Sequence, residues 1–172
     1  MKTMDAIALL QSDHRRIERW FAQFAQARGD DRKLELAINL CAALRLHTLV
    51  EEEIFYPAFL QSTGDRQRHH EAAVEHDAAT HLIAEIEAAT PADDFFDAKV
   101  NVLAGMIKHH VAAEERPGGM FALARESDMD LLALGAQIRE RCREAAGPFG
   151  NSAAPARAKS GILGRILEVA SR

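Results

Sequence analysis

The sequence has few of the residues and segments that define several large classes of protein. Its two cysteines, Cys41 and Cys142, stand far apart and form no metal-binding or redox motif, so we expect a reducing, cytoplasmic environment. No apolar run approaches the roughly 20 residues that a membrane span requires, and Asp5 and Asp13 interrupt any signal-peptide core. With a net charge of −5 and no basic stripe, the chain gives no reason to expect nucleic-acid binding.

The abundant residues are those of helices. Alanine, leucine and glutamate are plentiful, aromatic residues make up only 6%, and β-branched runs are few, which favours helices over strands. Apolar residues recur at three- and four-residue intervals in four long segments and one shorter segment, so we predict an all-α protein. Pro57 and then residues 62–65 are expected to close the second helix, and Thr90–Pro91 to begin the fourth. The five predicted helices cover approximately residues 4–28, 31–59, 66–89, 91–115 and 129–145.

Each long helix carries a histidine where its apolar stripe calls for a hydrophobic residue. In the first helix, for example, His14 continues the alternation of Ile7, Leu10 and Ile17. Two of these histidines precede a glutamate by four residues, and that spacing places both side chains on one helix face, about one turn apart. An imidazole and a carboxylate so placed can bind one metal ion or two neighbouring ions. The six residues are His14, His47, Glu51, His76, His110 and Glu114.

The two halves of the chain repeat the same pattern. Residues 13–24 align with residues 75–86 without a gap, and this alignment places His14 on His76. The next histidine of the set follows 33 residues later in the first half and 34 residues later in the second. The chain is therefore two copies of a helix–helix unit, which predicts an up-down antiparallel four-helix bundle whose core can hold metal between facing helices.

Six ionisable side chains on apolar helix faces require compensation. Burying each without a partner costs several kcal/mol in lost solvation. One account is that a neighbouring glutamate satisfies each buried histidine through hydrogen bonds, but that account must hold four times in a repeated arrangement. We therefore predict that the six residues bind metal.

The donor types narrow the choice of metal. Four imidazoles and two carboxylates, without a thiolate, exclude a structural zinc–cysteine site. A centre of two ions bridged by Glu51 and Glu114, with two histidines for each ion, uses all six residues. Iron is the natural candidate, because a nitrogen- and oxygen-ligated site with an open position supports dioxygen or nitric oxide chemistry; manganese or zinc fit the same ligands.

The order and spacing of these residues resemble those of the hemerythrin-like, HHE cation-binding family. The matching segments span approximately residues 4–125 and include Asp13–His14, His47–Pro57, Glu75–His76 and His109–Glu115. The resemblance implies a four-helix bundle with a non-heme di-iron centre. Carried over position by position, it implies the ligands His14, His47, Glu51, His76, His110 and Glu114.

The sequence departs from the oxygen-carrying hemerythrins at the fifth histidine. That position, one turn from His76 along the third helix, is Thr80 or Ala72 here, and neither side chain substitutes. His81 lies about 140° away on an ideal helix, so a local helix bulge is required to bring it to the site. Residues 116–119 also loosen the family's glutamate-rich turn, which we interpret as a longer surface loop. The remaining set is more similar to the branch associated with nitric oxide response and iron–sulfur cluster repair.

The neighbouring polar residues are assigned simpler roles. We interpret Glu52 and Glu53 as a solvated helix face, and His109 as a surface or supporting residue. Tyr56 is expected to line the core or the pocket, with a hydrogen bond or an electron donated to the metal centre as the alternative. His69 is expected to lie in solvent near the start of the third helix.

Three functions are consistent with this interpretation. The first is a di-iron protein that binds or senses a small diatomic molecule, dioxygen or nitric oxide. The second is a di-iron enzyme of the nitrosative or oxidative stress response, which turns over nitric oxide or peroxide, or donates iron for iron–sulfur cluster repair. The third is a signalling or interaction module in which the metal site is structural.

The chain divides into a bundle and a tail. Its 172 residues suit one domain with a sizeable core. We assign residues 1–146 to the four-helix bundle with its short fifth helix, and residues 147–172 to a linker and an amphipathic C-terminal tail. Such a tail suits a homodimer contact, a partner or a membrane surface; the alternative is that it folds back on its own bundle or frays.

Overall fold

The computed structural model describes residues 4–146, and this part of the chain is helical, with no strand. A π-helical turn, Glu51–Phe55, connects the helix Asp30–Val50 directly to the helix Tyr56–Thr63, without a loop. The predicted linker and tail, residues 147–172, lie outside the described residues. The helices are α1 (Ala6–Gln26), α2 (Asp30–Val50), α3 (Tyr56–Thr63), α4 (Arg66–Ala88), α5 (Phe96–Glu115), α6 (Met120–Glu126) and α7 (Leu131–Ala146).

The predicted all-α, four-helix bundle is confirmed. Helix α1 packs against α2 and α5, and α4 packs against the same two helices, so the four elements close into a ring. Helix α3 prolongs α2 beyond the π-helical turn. Helix α7 lies against α1 and α2, and the short helix α6 lies against α5 and α3. The bundle therefore consists of the four predicted long helical segments, with the two further helices α6 and α7 packed against them.

The buried polar residues separate two apolar clusters along the bundle. On α1, Leu10 belongs to one cluster and Ile17 to the other, and His14 lies between them on the same face. One cluster is centred on α2, α4 and α5, and includes Leu40. The other combines α1 and α3 with α6 and α7, and includes Phe59. Apolar packing on both sides thus fixes the helices that carry the polar layer.

Pro57 does not close the second helix, but the later part of the predicted closing segment, residues 62–65, does. The helical path continues through the π-helical turn and ends at Gly64, whose φ of 69° suits glycine. Pro57 lies in the first turn of α3. A proline is tolerated there because the residues of a first turn do not need an N–H partner one turn back.

The predicted start of the fourth helix at Thr90–Pro91 is wrong, because α5 begins at Phe96. The backbone N–H of Thr90 donates to the Asp93 carboxylate at 2.6 Å, and the Thr90 hydroxyl donates to it at 2.9 Å. These bonds close a separate turn before the helix. The last helix likewise begins two residues later than predicted, and Asp130 caps it by accepting from the backbone N–H of Ala133 at 2.9 Å.

Gly119 joins α5 to α6 at a point that has no room for a side chain. A Cβ atom there would lie 2.6 to 2.8 Å from the carbonyl oxygens of Ala113, Glu114 and Arg116. We expect Gly119→Ala to lower the free energy of unfolding by about 1–3 kcal/mol. Gly105→Ala, in the open middle of α5 with nothing within 4 Å, is the matched control and is expected to raise it by about 0.5–1 kcal/mol. Urea unfolding of both variants measures the difference, and equal stabilities would contradict the packing argument.

Candidate metal centre

The structure brings the six predicted residues together in the middle of the bundle. Each of the six side chains is at most 4% exposed. Glu51 belongs to both groups of converging ligand atoms, and in each group the atoms lie within 4.8 Å of one another. We name the groups by their histidines: the His14–His47 half also contains Glu51 and Glu114, and the His76–His110 half also contains Glu51.

The spacing of the converging atoms suits ligands of a common ion. The two Nε2 atoms are 3.0 Å apart in the His14–His47 half and 3.3 Å apart in the His76–His110 half. Glu51 Oε2 lies 3.2 Å from His47 Nε2 and 3.3 Å from His76 Nε2. Two nitrogen ligands about 2.1 Å from one metal and at right angles to each other are about 3.0 Å apart. Ligand pairs in both halves therefore match what a bound transition metal requires.

Carboxylates behind the histidines orient three of the four rings. An ionised carboxylate only accepts hydrogen bonds, so each of these rings carries a hydrogen on Nδ1, and Nε2 is the nitrogen that faces the site. The pairs are His14 Nδ1 with Glu115 Oε1 at 2.7 Å, His76 Nδ1 with Glu52 Oε1 at 3.2 Å, and His110 Nδ1 with Glu75 Oε2 at 2.8 Å. This is the arrangement that metal-binding histidines commonly have.

His47 is the exception in this outer layer. Its Nδ1 is buried and has no hydrogen-bond partner among the described residues. The nearest carboxylate is that of Asp13: its Oδ2 is 4.0 Å from His47 Nδ1, and its Oδ1 is paired with Arg16 at 2.8 Å. The outer layer of the site is therefore complete around three histidines and incomplete around the fourth.

The buried charges demand a cation at the centre. Burial, reinforced by the charge of Glu51, raises the pKa of Glu114 to about 8. Burial lowers the pKa of His110, but hydrogen bonds to Glu51 and Glu75 outweigh burial and raise it well above its ordinary value. Glu51 Oε1 and Glu114 Oε2 also have no hydrogen-bond partner among the described residues. Protons supply the positive charge in the metal-free protein, and a metal ion can supply it to all the converging atoms at once.

Tyr56 lies at the centre of the site, although the sequence analysis assigned it chiefly to the lining. Its hydroxyl donates to Glu114 Oε1 at 2.9 Å and lies 3.2 Å from His76 Nε2 and 3.4 Å from His110 Nε2. Burial, together with the charges of Glu51 and Glu114, raises the pKa of Tyr56 well above 10, so the phenol is neutral in the metal-free protein. The hydroxyl is thus a further oxygen donor within reach of the His76–His110 half.

The π-helical turn explains why α-helical periodicity did not place Tyr56 at the centre. In this turn the N–H of Tyr56 donates to the carbonyl of Glu51, five residues back rather than four. The additional residue brings the two side chains onto one face, where their oxygens are 3.3 Å apart. His81 would need such a bulge in the helix that carries His76; the structure has it instead in the segment that carries Glu51. The signal available in the sequence was a tyrosine three residues after three consecutive glutamates.

The neighbouring residues only partly keep their predicted roles. His81 is away from the site, as expected for a regular helix: its side chain is 76% exposed and bonds to the backbone of Asp77. Glu52 is 50% exposed, as predicted for a solvated helix face, but it also accepts a hydrogen bond from His76 Nδ1. Its neighbour Glu53 pairs with Arg141 of α7 at 2.6 Å. His109 is exposed, as predicted, and contacts the outer carboxylate Glu75; His69 is partly buried and packs edge-on against Tyr56.

Helix α6 covers the His14–His47 half. The ring of Phe121 stacks on His14 with centroids 5.7 Å apart and an angle of 6° between the planes. The same ring meets Phe55 edge-on at 5.5 Å. Residues 116–118 form an exposed turn, as predicted for a surface loop, and lead into a short helix whose Phe121 covers His14.

The neutral state of buried His14 has a consequence for stability. Burial, reinforced by the neighbouring His47, lowers the pKa of His14 from 6.5 to about 3. At pH values between about 3 and 6.5, the unfolded chain binds a proton at His14 and the folded chain does not, so acidification favours unfolding. We expect the unfolding free energy of the metal-free protein to fall by up to about 1.4 kcal/mol more per pH unit than that of His14→Gln.

This prediction is checked by urea unfolding between pH 6.5 and pH 4. The control is His109→Gln, which changes a histidine that is 77% exposed and should keep the wild-type slope. A slope in His14→Gln equal to that of the wild type would show that His14 is not held neutral in the folded protein.

The chain belongs to the Hemerythrin HHE cation binding domain family, which it matches over residues 5–117. The resemblance inferred from its motifs is therefore confirmed. A crystal structure of a hemerythrin HHE cation-binding domain-containing protein from Mycobacterium kansasii has the same fold, with a TM-score of 0.67 and 19% sequence identity. The alignment covers 83% of this chain and 90% of that one. No curated protein gives a significant match to the sequence.

Family membership and the buried histidine–glutamate groups agree on a cation-binding function. Within residues 4–146, no helix has both the length and the apolar character needed to cross a membrane. The site described above lies inside the matched region, because its residues run from His14 to Glu115.

Proposed function

We propose that this protein is a non-heme di-iron protein that binds or senses a small diatomic molecule, dioxygen or nitric oxide. The observation that carries the proposal is the convergence of four imidazole nitrogens on one shared carboxylate, Glu51, in two pairs spaced like ligands of two neighbouring ions. The donor set contains only nitrogen and oxygen, which suits iron and is also compatible with manganese or zinc.

Each residue of the site has a proposed role in holding the two ions. His14 and His47 would hold one ion, His76 and His110 the other, and Glu51 would bridge them. Glu114 would complete the first half, and the Tyr56 oxygen is placed to complete the second. When bound, iron would supply reversible electron donation to a diatomic ligand. The chain buries this centre and surrounds it with apolar side chains, which limits access to small, uncharged molecules.

Iron loading and ligand addition test this proposal. Protein produced without a histidine tag in iron-supplemented medium is expected to contain about two irons per chain. Its absorption between the ultraviolet and the visible should change on adding dioxygen to the reduced form, azide to the oxidised form or nitric oxide to either. Iron well below two per chain, or spectra that none of the three additions alters, would refute the proposal.

The position of Tyr56 favours a second candidate, an enzyme that turns over nitric oxide or peroxide. Its neutral phenol lies at the centre of the site, donates to Glu114 and is thus positioned to deliver a proton there. Multiple turnovers in the presence of a reductant for nitric oxide, or with peroxide alone, would support the enzyme. Stoichiometric binding without turnover would support the carrier or sensor.

We further propose a reducing, cytoplasmic setting. Both Cys41 and Cys142 are free thiols, and burial raises the pKa of each above its ordinary value. High thiol pKa values make both cysteines poor nucleophiles and poor metal ligands at neutral pH. The metal chemistry of this chain is therefore assigned to the histidine–glutamate centre within the unit formed by residues 1–146.

A further inference from the structure

We propose that Glu52 and Glu75 make the two halves of the metal centre unequal, so that the His76–His110 half binds its ion more tightly and retains the higher oxidation state. The inference rests on the proposed di-iron function and adds an order to it: one half fills first and is reduced last. Both glutamates are positioning residues, since they act through the rings of His76 and His110.

Both histidines of the His76–His110 half are supported by carboxylates that form no ion pair with a lysine or arginine among the described residues. Glu52 accepts from His76 at 3.2 Å, and Glu75 accepts from His110 at 2.8 Å. Among the described residues, neither glutamate lies within 4 Å of a lysine or arginine side-chain nitrogen. Two uncompensated negative charges therefore lie directly behind this half.

The His14–His47 half lacks comparable support. Glu115, which accepts from His14, is also paired with the guanidinium of Arg15, so its charge is largely neutralised. Asp13 is too far from His47 for a hydrogen bond and is paired with Arg16. The two arginines of α1 thus pair with both carboxylates that lie behind this half within residues 4–146.

The physical consequence follows from charge and ring basicity. A charged acceptor on Nδ1–H makes the opposite nitrogen a stronger electron donor, and loss of such an outer partner typically weakens metal binding 10- to 100-fold. Negative charge close to an ion also stabilises the state of higher positive charge. Both effects act on the His76–His110 half and are reduced in the His14–His47 half. The charge of Glu114 does not reverse this difference, because its Oε2 lies 3.4 Å from His14 Nε2 and 3.6 Å from His110 Nε2 and so acts on both halves.

Calorimetric titration of the metal-free protein with Zn²⁺ tests the order of binding. We expect two resolved steps of about one ion each. Glu75→Gln keeps a hydrogen-bond acceptor but removes its charge, and is expected to weaken the tighter step about 10-fold or more while leaving the weaker step unchanged. Glu115→Gln is expected to affect only the weaker step.

Glu53→Gln is the matched control for a parallel variant, Glu52→Gln. The two glutamates are adjacent in the π-helical turn, but Glu53 pairs with Arg141 and contacts no ligand ring. We expect Glu52→Gln to weaken the tighter step and Glu53→Gln to leave both steps as in the wild type. Equal weakening by the two variants, or an effect of Glu75→Gln and Glu115→Gln on the same step, would overturn the proposal.

Stepwise reduction of the iron-loaded, oxidised protein with dithionite supplies a readout that a purely structural role would not change. Tyr56 reports on the His76–His110 half, because its hydroxyl lies next to both of those rings. The tyrosinate-to-iron absorption is expected to persist after the first electron per centre and to disappear after the second. In Glu75→Gln this order should be weakened or lost; disappearance of the band with the first electron in the wild type would contradict the inference.

Failure of the inference is distinguishable from failure of the proposed function. Fewer than two ions bound per chain in wild-type protein would refute the di-metal centre itself. Two ions bound with equal affinities and reduced without order would leave the di-metal centre intact and refute only the inequality of its halves.

Discussion

Replacing Glu51 by alanine is expected to remove both metal ions together. Glu51 Oε2 lies 3.2 Å from His47 Nε2 and 3.3 Å from His76 Nε2, so it belongs to both halves of the centre. Loss of this one carboxylate takes a ligand from each ion and leaves the converging histidines without their shared negative partner. We expect the metal content to fall from about two ions per chain to less than about one. Elemental analysis after anaerobic iron loading measures it.

Glu53→Ala is the control for this substitution. It lies in the same π-helical turn and pairs with Arg141, so it should keep two ions per chain. Glu51→Gln preserves the size of the side chain and guards against a loss of metal caused by a loss of helical packing. Circular dichroism should show that all three variants remain helical. Retention of two ions in both Glu51 variants would mean that the carboxylate does not bridge the halves.

Replacing Tyr56 by phenylalanine is expected to remove the visible tyrosinate-to-iron absorption of the oxidised protein. The hydroxyl lies as close to the Nε2 atoms of His76 and His110 as those two atoms lie to each other, so all three can reach one ion. Burial and two carboxylates keep the phenol neutral in the metal-free protein. A trivalent ion would displace that proton, because metal ligation strongly favours the deprotonated form of a ligand.

The assignment of this band is unambiguous, because Tyr56 is the only tyrosine in the chain. The measurement is the visible spectrum of iron-loaded protein, with resonance Raman scattering to detect phenolate vibrations. Tyr56→Phe should keep about two irons per chain, since all six histidine and glutamate ligands remain. A wild-type spectrum without phenolate vibrations, or a band that survives in Tyr56→Phe, would show that Tyr56 acts only as a hydrogen-bond donor.

The order of apolar and polar residues was sufficient to predict most of the fold and the six residues that converge at the centre of the site. A histidine within each apolar stripe and the repeat of residues 13–24 at 75–86 were sufficient to predict four helices and six converging side chains. The prediction succeeded because these side chains lie on regular α-helices, where spacing by three or four residues determines the shared face.

Residues outside that periodicity could not be placed in advance. Tyr56 reaches the centre through a π-helical turn, and a change of one residue in helical spacing moves a side chain by about 100°. Glu52, Glu75 and Glu115 were beyond prediction for a different reason. Each supports a histidine on another helix, 24, 35 and 101 residues away in sequence, and such contacts depend on how helices pack.

Local pattern and tertiary packing thus made separate contributions. The helices, their repeat and the inward direction of His14, His47, His76 and His110 follow from side-chain periodicity, which acts within a few residues. Tertiary structure decided three other features. Helix α6 covers His14, two arginines of α1 pair with the carboxylates behind the His14–His47 half, and unpaired carboxylates support the His76–His110 half. These features arise between helices, where hydrogen bonds and charges act between residues that are far apart in sequence.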